Sequence, residues 1–110
     1  MKITVQSIRF NADKKLLDFI QKKVDKLDTF FDHIINGEVY LKLENVEDEA
    51  NKITEIKLML PGHLIFAKEQ CKTFEEATDL AVESLRKQID KYKQKKNIAA
   101  ETIKKANLLA

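Results

Sequence analysis

The side chains with the most obvious chemistry are basic. From Ser84 to Lys105 there are eight: Arg86, Lys87, Lys91, Lys93, Lys95, Lys96, Lys104 and Lys105, opposed only by Asp90 and Glu101. Six of the eleven residues from Arg86 to Lys96 are basic. Lys22, Lys23 and Lys26 form a second group. Cations gathered in this way neutralise phosphates, and such binding weakens steeply as salt rises. The alternative use is a solvated helix end, where lysines complement the negative end of the helix dipole. Few acids near Arg86–Lys96 in sequence favour the phosphate reading.

Nothing comparable points to catalysis. Two glycines in the whole chain leave no phosphate-cradling loop. His33, His63 and Cys71 are scattered without CxxC or HExxH spacing, so no metal is expected. Cys71 has no base and orienting partner nearby in sequence and reads as a packing residue. We expect no enzyme activity, no cofactor and no small-molecule substrate. The strands carry no paired aromatics of the kind that stack single-stranded bases, which favours recognition of folded RNA by shape and backbone. Phe30-Phe31 is open between a stacking platform and core, with core expected for at least one ring.

The elements that must position these residues can be read from periodicity. Ile3 and Val5 alternate with polar neighbours, a half-buried strand over residues 2–6, and Ile8 and Phe10 fall out of phase, predicting a turn or bulge near Ser7. Asn11 is the expected N-cap of a helix from Ala12 to Phe31, whose apolar stripe is Leu16, Phe19, Ile20, Val24, Leu27 and Phe31. Asn36-Gly37 ends that region. Residues 38–44 alternate as a strand with Val39, Leu41 and Leu43 on one face and Tyr40 and Lys42 on the other. An acidic loop follows, with acids gathered between Glu44 and Glu49. Residues 52–60 form a third strand, Pro61-Gly62 a type II turn, and residues 63–70 a fourth strand with Ile65 and Ala67 inward. Thr73 to Glu76 reads as a capping box opening a second helix to about Lys96, with a stripe of Phe74, Ala77, Ala81, Leu85, Ile89 and Tyr92. The predicted fold is α+β: a βαβββα two-layer sandwich, a four-stranded sheet with both helices on its one apolar face. Residues 1–96 form the domain and residues 97–110 a mobile tail.

A chain of 110 residues, 44% hydrophobic and 35% charged, suits one soluble domain. The net charge of +2 argues against indiscriminate coating of nucleic acid. A single cysteine, no signal-like N-terminus and no membrane-length apolar run make a cytoplasmic monomer the expectation.

Three segments carry a family resemblance: LDTFFDHI (Leu27–Ile34), VYLKLE (Val39–Glu44) and LRKQIDKYKQKK (Leu85–Lys96). In order and spacing they resemble the ribosome hibernation promoting factors, the sigma-54 modulation protein family, over roughly residues 1–96. The resemblance implies a fold similar to double-stranded RNA-binding domains. It also implies binding to small-subunit rRNA in the decoding channel, blocking mRNA and tRNA and inhibiting translation in stress or stationary phase. The RNA-binding residues would come from both helices. Lys23 and Lys26 match recurrent lysines of the first helix, with Lys22 beside them. Lys87, Gln88, Lys91, Lys93 and Lys95 match the last-helix motif, with Arg86 one place before the position where the family has arginine. Lys87 at that position keeps the charge but loses bidentate geometry. Ser84 stands where lysine is frequent, and of the family's aromatic-Ala-Ala-Ile-Asp only Ala77 and Asp79 are kept. Ending at Ala110, the chain reads as a short form. Two rivals remain at this level, a general structured-RNA binder acting off the ribosome and a protein-interaction module whose lysines only solubilise.

Overall fold

In the computed structural model, residues 1–44 and 49–109 are described, with side chains up to residue 94. The acidic-loop positions 45–48, and the side chains of Lys95, Lys96, Lys104 and Lys105, lie outside the described residues. The order is β1 (Lys2–Ile8), α1 (Lys14–Asp25) with a 3-10 turn over Lys26–Thr29, β2 (Asn36–Leu43), β3 (Lys52–Leu60), β4 (His63–Cys71) and α2 (Phe74–Leu109). This is the α+β architecture expected from the pattern.

The four strands lie side by side in chain order. Val5 pairs with Val39 in a parallel ladder, while β2–β3 and β3–β4 are antiparallel, with Val39 opposite Ile56 and Ile56 opposite Ala67. Alternation along the strands puts Val39, Leu41, Ile56, Leu58, Leu60, Ile65 and Ala67 on one buried face. There they join Leu16, Ile20, Val24 and Leu27 from the first helical segment and Phe74, Ala81, Leu85 and Ile89 from α2 in one core. Between the sheet and α2 the buried Thr54 and Thr78 hydroxyls lie 3.3 Å apart, so this polar pair satisfies itself.

Several local expectations are corrected. β1 continues through Ser7 without a bulge, and the chain turns instead at Arg9, whose φ of 68° is left-handed. Ile8 therefore stays in phase with the outer face, and Phe10 folds back to stack on Phe74 with centroids 5.0 Å apart. The first helix begins at Lys14, not Ala12. Asp13, not Asn11, is its N-cap, accepting the Leu16 N–H at 2.8 Å. Its α-helical part stops at Asp25 and tightens to 3-10, so Phe30 and Phe31 lie beyond it. β2 starts at Asn36, so Asn36-Gly37 opens a strand. α2 passes Lys96 and runs to Leu109. The hairpin turn is as expected: Gly62 has φ 69°, the value the second central position of a type II turn requires, after Pro61. Thr73 caps α2 by accepting the Glu76 N–H at 3.1 Å.

Replacing Asp13 with Ala is expected to cost about 1 kcal/mol, the usual worth of an N-cap, and to lower Tm by about 4 °C. Thermal melts followed by circular dichroism measure this. An unchanged Tm would mean that the bond to Leu16 contributes nothing net.

Candidate nucleic-acid interface

α1 and α2 lie side by side on the sheet, and Lys23 reaches Asp79 at 3.0 Å across their junction. The two lysine groups thus share the helical layer, with Arg86 and Lys93 nearest the first helical segment. On α1, burial of Leu16, Ile20 and Val24 fixes the inward stripe. Lys22 and Lys26 are left exposed, while Lys23 is half-buried with its ammonium 5.5 Å from the Phe19 ring centre.

On α2 the basic residues divide between the two flanks of the helix, as a rotation of about 100° per residue requires. Arg86 and Lys93, seven apart, face the end of the first helical segment. The Arg86 guanidinium lies 5.7 Å from the Phe30 ring centre, and Lys93 Nζ donates to the Phe30 carbonyl at 2.6 Å. Lys87 and Lys91, four apart, face the edge of β4 and line the seam between it and α2. The expectation of few acids within reach is corrected at Arg86. Its Nη2 donates to Glu83 Oε1 at 2.7 Å, which holds the Glu83 carboxyl below its usual range and raises the guanidinium. Gln88, expected to bind RNA, donates its amide to the Phe66 carbonyl at 2.8 Å and to Ser84 Oγ at 3.2 Å, and so tethers α2 to the edge strand.

The predicted residues therefore fall into two kinds. Lys22, Lys26, Lys87 and Lys91 are exposed and carry no ion pair among the described residues. Lys23, Arg86, Lys93 and Gln88 each hold a protein partner. Lys95 has its side chain outside the described residues. On β2, Lys42 pairs with Glu55 at 2.9 Å, and the Tyr40 hydroxyl donates to Glu38 at 2.8 Å, which raises its pKa. Both lie on the open face, away from the helices. The Phe30-Phe31 question resolves by position: Phe30 is 42% exposed, whereas Phe31 packs edge-on against Tyr92 at 5.5 Å.

Among the described residues no cluster of three His, Cys, Asp or Glu could hold a metal, and no helix is long and apolar enough to cross a membrane. Cys71 is buried, and burial raises its thiol pKa, opposite to what a nucleophile needs.

Residues 3–97 match the family model described as sigma 54 modulation protein / S30EA ribosomal protein. The chain belongs to this family. A ribosome hibernation promotion factor of Bacillus subtilis is 26% identical over 97 residues, which cover 88% of this chain and 51% of that protein. The chain thus spans about half of that relative's length. A ribosome hibernation promoting factor of Pseudomonas putida is 24% identical over 95 residues, covering 86% of this chain and 89% of that protein. The N-terminal domain of Thermus thermophilus Protein Y superposes with a TM-score of 0.72 at 26% identity, over 84% of this chain and 99% of that one. A ribosomal subunit interface protein from Coxiella burnetii shares the fold, with a TM-score of 0.76 at 23% identity, over 86% of this chain and 99% of that one.

In this S30EA-family chain, sequence reasoning weighed His63 only as a metal ligand and set Tyr92 on the α2 stripe. The Tyr92 hydroxyl donates to the Pro61 carbonyl at 2.9 Å, and its ring stacks on His63 at 5.8 Å. The available signal was the Pro61-Gly62 turn, which brings the start of β4 beneath the helix turn that carries Tyr92.

Proposed function

We propose that this chain is a ribosome hibernation factor: it binds rRNA of the small subunit at the decoding channel, excludes mRNA and tRNA, and silences the idle ribosome in the cytoplasm. The observation that carries this is the set of exposed lysines without ion pairs, Lys22, Lys26, Lys87 and Lys91, on the helical side of a family fold. Exposed ammonium groups with no ion pair have no internal salt bridge to break before meeting a phosphate; of the four, Lys87 alone lends its charge to a carboxylate, Glu83. The names of the relatives, ribosome hibernation promoting factors and a Protein Y domain, support the same partner. The mechanism is steric and electrostatic, with no bond made or broken. The protein acts as a monomer without cofactor.

The test is co-sedimentation with purified small subunits across a salt series. Four free lysines on phosphates predict a log–log slope of affinity against salt of about −3 to −4. Pelleting with that slope, together with inhibited initiation, supports the reading. Retention in the supernatant at low salt refutes it, and binding insensitive to salt would point to a protein partner instead.

A further inference from the structure

Where α2 crosses the start of β4, His63, Ile65, Gln88, Lys91 and Tyr92 line an open cleft of about 240 Å³. Its components differ in kind from the rest of the basic surface. The His63 ring is exposed on one side and lies nearly parallel to Tyr92 on the other, with planes 19° apart. Tyr92 cannot swing away easily: its hydroxyl is bonded to the Pro61 carbonyl, and Phe31 braces its ring edge-on. The Pro61-Gly62 turn fixes where His63 leaves the hairpin. Ile65, 4% exposed, gives the floor an apolar surface. Gln88 is pinned by its bonds to Phe66 and Ser84, which keeps the wall in place. Lys91 stands exposed at the rim without an ion pair among the described residues.

A flat, pre-braced ring with a free face, an apolar floor and one free cation at the rim match one ligand chemistry: a planar aromatic base joined to a phosphate. Stacking on a fixed ring costs little conformational entropy, and any base presents a π-face. The geometry points to this cleft as a binding site for a single unpaired nucleotide of RNA, with the base stacked on His63 and its phosphate at Lys91. The seam continues along β4 past Lys87, but Glu69 and Glu83 lie at its far end. Repulsion by those carboxylates keeps the strand from running beyond Lys87 and confines base recognition to the His63 end. The two flanks of α2 then have separate tasks: Lys87 and Lys91 guide a single strand, while Arg86 and Lys93 close the junction with the first helical segment.

The ribosomal arm of the test rests on the proposed function, and the oligonucleotide arm does not. Fluorescence anisotropy with labelled r(A)7 at low salt is measured for the wild type, His63→Ala and His63→Phe, with aromatic NMR spectra recorded on the same titrations. Small-subunit co-sedimentation follows for all three. Loss of one stacked base is expected to weaken r(A)7 about tenfold in His63→Ala, while His63→Phe, which keeps a ring but no ionisable nitrogen, stays within about threefold of wild type. The His63 and Tyr92 ring signals should move with r(A)7 and not with inorganic phosphate alone. If wild type pellets with subunits yet His63→Ala binds r(A)7 and subunits as wild type does, the cleft proposal is overturned and the proposed function stands. If wild type fails to pellet but r(A)7 still moves the His63 signals, the cleft is an RNA site and the ribosomal reading falls. Shifts equal for phosphate and r(A)7 would also overturn it.

Discussion

Changing Lys87, Lys91 and Lys93 together to Glu is expected to weaken small-subunit binding at least about a hundredfold near 0.1 M salt and to flatten the salt slope by about two, one for each of Lys87 and Lys91. The three positions cover both flanks of α2, so the rRNA cannot evade the change by a small rotation of the protein. Lys87 and Lys91 hold no ion pair among the described residues, and Lys87 only lends its charge to Glu83 one turn away, so their loss reads mainly on binding. Lys93 gives up its bond to the Phe30 carbonyl, a stability cost of about 1 kcal/mol that a melt would show separately. Reversal also sets Glu at position 87 beside Glu83, one turn away, which repels phosphate further. Arg86→Ala makes an instructive contrast. Its charge is already opposed by Glu83 at 2.7 Å, so its removal frees a carboxylate and should cost binding less than removal of Lys87. Sedimentation of both variants over a salt series measures the difference. Binding of the triple variant within about threefold of wild type would place the rRNA on some other surface.

Leu85→Ala is expected to cost about 3 kcal/mol of stability, within the range of 2–5 kcal/mol for truncating a fully buried leucine. Leu85 is 0% exposed and sits midway along the α2 stripe, against a sheet face that includes Ile56, Leu58, Ile65 and Ala67. Two close-packed layers leave little freedom for the surroundings to collapse into the gap. A domain of this size has about 5–15 kcal/mol to lose, so the variant remains mostly folded at room temperature but should melt well below wild type. Urea unfolding followed by circular dichroism gives the value. The variant also separates folding from recognition: where it is folded, small-subunit binding should match wild type, unlike the charge-reversed protein, which folds and fails to bind. A cost below about 1 kcal/mol would mean that α2 is held mainly by its edges, through Gln88 and Tyr92.

The legible part of the fold was the part with one face in water and one in the core. β3, the Pro61-Gly62 turn, β4 and the α2 stripe follow directly from alternation and helical spacing, because burial there obeys a single period. The departures occur where local chemistry competes. Asn11 and Asp13 are both good caps, and Asp13 wins because the chain needs Arg9 and Phe10 to complete a turn and stack on Phe74. Ile8 looked out of phase only because an apolar residue on the open sheet face was not anticipated. For the candidate interface, the sequence pointed to the right helix, but linear proximity could not show that Lys87 and Arg86, adjacent in sequence, face opposite neighbours. Nor could it show that Gln88 is engaged with Phe66, or that His63 meets Tyr92 across 29 positions of chain.

The parallel ladder between β1 and β2 bears on the order in which this protein can assemble. β2, β3 and β4 are joined by short links and can pair as a meander as soon as they exist, whereas β1 has no partner until the intervening helix has formed and β2 has been made. α2 follows the strands in the chain yet supplies Phe74, Ala81, Leu85 and Ile89 to the core and the bond from Lys93 to Phe30, 63 positions earlier. The two-flanked basic surface therefore does not exist at any intermediate length. A chain still being synthesised carries the lysines of α1 on an unpacked helix, and the complete binding face arises only when the final helix docks.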